Sequence, residues 1–121
     1  MTSGSSAIEA ERLFERYLAY HGSADTYGVV ALFSEDASLE DPVGAPVLSG
    51  RAAIHDFYRV THARQGRLAF ERVGPLLVRG GELAVHVRAR LERDPAGPGT
   101  DVIYTLRIDG EGLIRGLRAY F

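Results

Sequence analysis

Residues 100–121, TDVIYTLRIDGEGLIRGLRAYF, contain two runs of alternating apolar and polar residues on either side of a glycine-rich turn. Alternation with a period of two is typical of strands that bury one face. The segment DGEG at residues 109–112 suits a hairpin connection, so strands are predicted at residues 100–108 and 113–121. The alternation also predicts that Tyr104 points towards the interior, opposite Asp101.

The same pattern begins after Gly66 and extends the predicted sheet upstream. Further strands are predicted at residues 68–79 and 83–93. The glycine pair at residues 80–81 joins these two strands, and PAGPG at residues 95–99 leads into the next one. Connections of this kind predict antiparallel hairpins.

The amino-terminal half shows helical spacing of its apolar residues instead. Helices are predicted at residues 8–21, 24–33 and 51–63. Their predicted N-terminal caps are a capping box of Ser6 with Glu9, then Asp25, then Ser49 or Gly50. Residues 1–6 are small and polar, and we expect them to be frayed.

A short strand is predicted at residues 37–41, after the second helix. An irregular turn rich in proline and glycine then leads to the third helix. Three helices followed by an antiparallel sheet indicate an α+β fold with the helices on one face of a curved sheet.

Length and composition favour a single small domain spanning residues 1–121. The chain has 45% apolar residues and a net charge of −2, so a nucleic-acid or anionic-membrane partner is not expected. It has no cysteine, which excludes disulfides and thiolate chemistry, and all 14 basic residues are arginine, which excludes a Schiff-base lysine. No signal sequence or membrane span is recognisable, and we expect a cytoplasmic protein.

Asp41 is the most unusual candidate for chemistry. It ends a strand that should be half buried, and the seven residues that follow it, PVGAPVL, carry no charge. A carboxylate in such a place is desolvated, so its pKa rises and it becomes suited to general-base catalysis near neutral pH. The alternative is an ordinary turn-forming aspartate before proline.

Several segments carry a resemblance to a known family. They are ERY at residues 15–17, ALFSEDA at 31–37, LEDPVGAP at 39–46, GR at 50–51, FYR at 57–59 and RAYF at 118–121. Nearly the whole chain thereby resembles the bacterial ketosteroid isomerases, also called steroid delta-isomerases. The resemblance implies the cone-shaped α+β fold shared with nuclear transport factor 2 (the NTF2-like fold) and with SnoaL-like polyketide cyclases: three N-terminal helices packed on a curved, mostly antiparallel sheet.

The resemblance also implies roles for individual residues. The general base of the family falls on Asp41, the oxyanion-hole tyrosine on Tyr17, and the tyrosine that supports it by a hydrogen bond on Tyr58. In this chemistry a carboxylate removes a proton next to a ketone, donors stabilise the dienolate, and the proton returns further along the conjugated system. Neither a metal nor an organic cofactor is expected.

Tyr104 departs from the family pattern, because the second oxyanion donor of the family is a protonated aspartate at this position. A tyrosine hydroxyl can still donate. Tyr104 could replace that donor, hydrogen-bond Tyr17, or fill space within the pocket, and a purely structural core tyrosine is the alternative to all three. The predicted apolar lining of the pocket consists of Phe33, Val43, Phe57, Leu117 and Phe121. Phe33 also stands where some relatives have a further tyrosine.

The remaining polar candidates have simpler interpretations. The four histidines, His21, His55, His62 and His86, lack the spacing of metal ligands, and the helix face shared by His55 and His62 is predicted to be solvated. Asp56 is predicted to be a surface charge. The arginines at positions 88, 90 and 93 favour an exposed or dimer-facing sheet surface over an anion site.

Three functions remain open on the sequence. The first is a cofactor-independent isomerase that conjugates a double bond with a ketone on a steroid-like or polyketide-like hydrophobic small molecule. The second is a SnoaL-like cyclase that closes a ring by aldol addition from the same kind of enolate. The third is a non-catalytic module that binds a hydrophobic ligand, since fold does not imply function. The resemblance implies a homodimer formed through sheet faces.

Overall fold

The computed structural model describes residues 3–121, with side chains from residue 7 onwards. In this range the chain forms three helices, α1 (Ser3–Gly22), α2 (Thr26–Ala31) and α3 (Arg51–Gln65). The seven strands are β1 (Phe33–Glu40), β2 (Leu48–Ser49), β3 (Leu68–Arg72), β4 (Leu77–Arg79), β5 (Glu82–Leu91), β6 (Thr100–Ile108) and β7 (Ile114–Tyr120). None of the helices in this part of the chain is long and apolar enough to span a membrane.

The first helix begins earlier than predicted. Because α1 starts at Ser3, the capping box expected from Ser6 and Glu9 is wrong: Ser6 lies inside the helix. Of the residues predicted to be frayed, 1 and 2 lie outside the described residues, and 3–6 belong to α1. Asp25 caps α2 as expected, its carboxylate accepting from the Gly28 amide at 2.9 Å.

The sheet is mixed and mostly antiparallel, with strand order β2-β1-β7-β6-β5-β3, and β4 also pairs with β5. The predicted pairing of β5, β6 and β7 is confirmed. Strand β1 lies parallel to β7, which no hairpin rule could have indicated, because 73 residues of other structure separate the two. The predicted α+β class, with three helices on a mostly antiparallel sheet, is therefore confirmed.

One strand prediction and one helix prediction need correction. The single strand expected at residues 68–79 is broken into β3 and β4, which both pair with β5. The segment between them contains Pro75, which has no amide hydrogen to donate. Phe33, expected at the end of a helix, begins β1, since α2 ends at Ala31.

Burial follows the predicted alternation and places the core between the helices and the inner face of the sheet. Val102, Tyr104 and Leu106 of β6 are buried, while Asp101 and Arg107 are exposed. The buried residues of α1 and α3 recur at helical spacing and face this strand layer. They are Ala10, Leu13, Phe14, Tyr17 and His21 of α1, and Ile54, Tyr58, Thr61 and His62 of α3.

Candidate active site

A cavity of about 470 Å³ opens between the carboxyl-terminal ends of α1 and α3 and the inner face of the sheet. Its wall includes Asp41 and Tyr104, together with His21 and Phe70. Of the predicted apolar lining, Phe57 and Phe121 belong to this wall. Phe33, Val43 and Leu117 do not: within the described residues, Phe33 and Leu117 are core side chains with at most 1% exposure, and Val43 lies in the loop, where its amide bonds to Ala119.

Asp41 enters the cavity because it follows β1 with opposite parity to Glu40. Glu40 points to the outer face, where its carboxylate accepts from the Gly44 amide at 2.9 Å and from the Arg118 Nε at 2.8 Å. These bonds lower the pKa of Glu40. Asp41 has no hydrogen bond or ion pair with any residue that the structure describes, and burial raises its pKa to about 6. Two adjacent carboxylates thus meet opposite environments, and only Asp41 is poised for proton transfer near neutral pH.

Three buried tyrosines lie beside Asp41, each from a different element. The hydroxyls of Tyr17 on α1 and Tyr58 on α3 are 2.8 Å apart, and both side chains are fully buried. The ring of Tyr104 on β6 meets the ring of Tyr17 edge-on, with centroids 5.5 Å apart. Burial, with a further contribution from the nearby charge of Asp41, raises the pKa of all three. Their hydroxyls are therefore protonated at neutral pH and available as hydrogen-bond donors.

The three tyrosines differ in their access to the cavity. Tyr104 lies in its wall, whereas Tyr17 and Tyr58 have no exposed surface and lie behind it. Of the three tyrosines, Tyr104 is thus the one that contributes directly to the cavity wall.

A pair of buried histidines forms the next layer of the site, which the sequence interpretation missed. His21 Nδ1 and His62 Nε2 are 2.9 Å apart, and His62 Nδ1 is 2.8 Å from the Thr26 hydroxyl. The solvated face predicted for His62 is wrong, since this side chain is only 6% exposed. A signal was present: Tyr17 and His21 repeat the spacing of Tyr58 and His62, so two equivalent helix faces can meet across the core.

The other polar candidates lie away from the tyrosine cluster. Asp56 is exposed beside Arg59, as predicted. Arg88 lies on the outer face of the sheet with Asp101 at 3.0 Å, which agrees with an exposed strand surface. Two charged residues at the rim of the cavity, Arg64 and Asp94, were not singled out from the sequence. Among the described residues, no group of three or more histidine, aspartate and glutamate side chains converges to hold a metal ion.

Comparisons with known proteins identify the family and the fold of the chain. A sequence model of the SnoaL-like domain matches residues 14–116. A steroid Delta-isomerase from Nocardioides simplex is 32% identical over 119 residues, which cover 95% of this chain and 91% of that protein. The structure is similar to that of the epoxide hydrolase/cyclase-like enzyme SalBIII, described for pyran ring formation in the polyether salinomycin. The TM-score is 0.76 at 24% identity, over 94% of this chain and 91% of the other.

Proposed function

The chain belongs to the SnoaL-like domain family and has the NTF2-like fold, and on this premise we propose that it is a cofactor-independent isomerase. Its substrate is a hydrophobic small-molecule ketone, steroid-like or polyketide-like, whose double bond moves from the β,γ to the α,β position. The observation that carries this proposal is the unpartnered carboxylate of Asp41 in the wall of a cavity that also presents the Tyr104 hydroxyl.

The proposed reaction has two proton transfers through one carboxylate. Ionised Asp41 takes a proton from the carbon between the carbonyl and the double bond, and the electrons of that C–H bond form a dienolate. The resulting Asp41 carboxylic acid returns the proton to the γ-carbon, so the double bond becomes conjugated with the ketone. A base with a pKa of about 6 is ionised at neutral pH and still strong enough to act, which is the compromise that proton shuttling needs.

The negative charge on the dienolate oxygen needs donors that are already in place. In our proposal Tyr104 donates directly from the cavity wall. The Tyr17 and Tyr58 hydroxyl pair lies behind it, held by its 2.8 Å contact, and Tyr58 is a positioning residue for Tyr17. Protonated hydroxyls in a dry environment stabilise a developing oxyanion more strongly than the same groups in water.

The test is the rise in ultraviolet absorbance when a 3-oxo-Δ5 steroid becomes the conjugated Δ4 ketone. We expect Asp41→Asn to lower kcat/KM by about 10²- to 10⁴-fold, the range for a lost general base. Asp56→Asn, the same change at an exposed site, serves as the matched control and keeps the wild-type rate. We expect the wild-type kcat/KM to rise with pH and to level off above about pH 6, where Asp41 is ionised. Equal turnover by the wild type and Asp41→Asn contradicts the mechanism.

A cyclase is the second candidate, because ring closure by aldol addition starts from the same enolate. One observation favours it: Asp94 gives the rim of the cavity a second carboxylate, in addition to Asp41 in the wall. Product analysis with a poly-β-ketone probe separates the two reactions, since a cyclase forms a new carbon–carbon bond. A non-catalytic binding module predicts ligand binding with no turnover in either the wild type or Asp41→Asn.

The proposed assembly is a homodimer through the outer face of the sheet. Ile103 and Tyr120 face each other across β6 and β7 and are 46% and 37% exposed. The charges around them are paired within the chain, Arg118 with Glu40 and Arg88 with Asp101. These two pairs neutralise four of the charges that a second copy of the same face would meet.

A further inference from the structure

His21 has a ring atom that the proposed mechanism leaves unused. Its Nδ1 atom is taken by His62 at 2.9 Å, and His21 belongs to the wall of the cavity. In the described part of the chain, no buried side-chain nitrogen or oxygen lacks a hydrogen-bond partner. The Nε2 atom of His21 has no such partner, so it must keep some accessible surface, and the accessible space beside it is the cavity.

The ring that carries this atom is held firmly. His21 packs against Tyr17, Tyr58 and Phe70 with ring centroids 5.5, 5.3 and 5.7 Å away. The side chain is only 5% exposed, and its contact with His62 fixes the rotation of the ring. A polar atom fixed in this way among aromatic rings is a typical specificity element of a small-molecule site.

The state of His21 restricts what it can bind. Burial and the neighbouring His62 lower the pKa of His21 to about 3, so the imidazole is neutral at physiological pH. Because Nδ1 is bonded to His62, the neutral imidazole offers one further hydrogen bond and no charge. This suits an uncharged oxygen better than a carboxylate or phosphate.

The position of His21 separates it from the reacting end of the site. The charge of Asp41 acts on Tyr17, Tyr58 and Tyr104, whereas the pKa of His21 responds to burial and to His62. Behind the wall, the ring of Tyr17 contacts the rings of both Tyr104 and His21, with centroids 5.5 Å away in each case. A ketone at Asp41 and Tyr104 therefore reaches His21 only with a more distant part of its skeleton.

We propose that His21 Nε2 hydrogen-bonds a second, uncharged oxygen of the substrate, so that the cavity selects hydrophobic ketones with a remote hydroxyl or carbonyl group. This inference rests on the proposed function for the identity of the ketone. The two hydrogen bonds that link Thr26 to His62 and His62 to His21 can both be donated in either direction, depending on the histidine tautomers. If the Thr26 hydroxyl donates, Nε2 carries a hydrogen and donates to a carbonyl; if it accepts, Nε2 accepts from a hydroxyl.

The experiment compares two conjugated 3-oxo-Δ4 steroids, one with a hydroxyl at carbon 17 and one without it. Both are product-like, so their binding can be measured by calorimetry without turnover. We expect the wild type to bind the hydroxylated steroid about 5- to 10-fold more tightly, the value of one hydrogen bond. His21→Asn keeps an amide at the place of Nδ1 but has nothing at Nε2, so the preference disappears. His21→Gln extends an amide to the place of Nε2 and keeps part of the preference.

A second measurement uses the wild type alone and does not depend on whether a variant folds. In nitrogen NMR of the wild type, the His21 Nε2 resonance shifts with the hydroxylated steroid and stays in place with the deoxy steroid. The inference is overturned if the resonance does not move or if the wild type shows no preference. It is also overturned if the preference survives in His21→Asn, or if neither steroid binds. Asp41-dependent isomerisation without any preference overturns this inference alone. A His21-dependent preference without isomerisation overturns the proposed function alone.

Discussion

The burial of Asp41, the proposed general base, lowers the stability of the fold. A carboxylate without hydrogen bonds in a partly dry cavity is less stable when ionised than the same group in the unfolded chain. Burial raises its pKa from 3.8 to about 6, so the folded protein binds the proton more tightly than the unfolded chain does. Folding is then opposed by ionisation of Asp41, and the penalty grows as the pH rises from about 4 to about 6 and stays constant above that.

This linkage predicts that Asp41→Asn is more stable than the wild type at pH 8 and similar to it at pH 4. The difference between the two pKa values corresponds to at most about 3 kcal/mol at pH 8. Chemical denaturation of both proteins at the two pH values measures it. The buried His21 acts in the opposite direction, since its lowered pKa costs stability as the pH falls below 6.5. Both proteins share this contribution, so it cancels in the comparison. An equal difference at pH 4 and pH 8 would show that Asp41 is not the cause.

We expect the effect of removing each tyrosine hydroxyl to depend on whether that side chain lies in the cavity wall. We expect Tyr104→Phe to lower kcat by about 10²-fold, as for the loss of one oxyanion donor. Tyr58→Phe should have a smaller effect on kcat but should lower the free energy of unfolding by about 1 to 2 kcal/mol, because the buried Tyr17 hydroxyl loses its partner. Tyr27→Phe, at a side chain 79% exposed, is the control for both measurements. A larger kcat loss in Tyr58→Phe than in Tyr104→Phe would mean that Tyr17 is the direct donor.

At the scale of elements, the site depends on the same tyrosine-to-histidine spacing in two helices. Tyr17 and His21 lie one turn apart on α1, and Tyr58 and His62 lie one turn apart on α3, so the two helices meet through tyrosine with tyrosine and histidine with histidine. A change in the position of either helix therefore disturbs both layers together.

Gly22 sets the position of α1 against the sheet. A Cβ atom at this residue would lie 2.8 Å from the carbonyl oxygen of Leu68, and a backbone atom cannot move aside easily. We expect Gly22→Ala to lower the free energy of unfolding by about 1 to 3 kcal/mol. Gly110→Ala is the matched control, because nothing lies within 4 Å of its Cβ position, and we expect a change within about 0.5 kcal/mol. Similar unfolding midpoints for the two variants would show that α1 can shift without cost.

The periodicity of apolar residues predicted most of the helices and strands, but not the contacts between elements that are distant in sequence. It predicted the inward face of β6 and hence the burial of Tyr104, because alternation is a local property of the chain. It could not predict the parallel pairing of β1 with β7, or the contact of His21 with His62, since both join residues that are far apart in sequence. Asp41 stood out because the seven residues that follow it carry no charge, whereas His62 did not, because its spacing to His55 suggested only a shared helix face.

For the molecule as a whole, the two faces of the sheet have separate roles. The inner face supplies Tyr104 and Val102 to the cavity, and the helices cover the rest of it. The outer face carries His86, Ile103 and Tyr120 in a row across β5, β6 and β7. Because alternate residues of one strand serve the two faces, a change on the outer face need not alter the cavity.

The homodimer proposal can therefore be tested without losing activity. We expect Ile103→Asp to raise the dimer Kd by at least about 100-fold, because it places a charge at the centre of the proposed contact, and light scattering should then report a mass of 13.2 kDa instead of twice that value. Val60→Asp, which adds the same charge at a 49% exposed position on α3, should leave the dimer intact. The monomeric Ile103→Asp variant should still isomerise the steroid, since the site lies within one chain. A wild type that remains at 13.2 kDa at micromolar concentration contradicts the dimer, and a dimer that withstands Ile103→Asp places the interface on another surface.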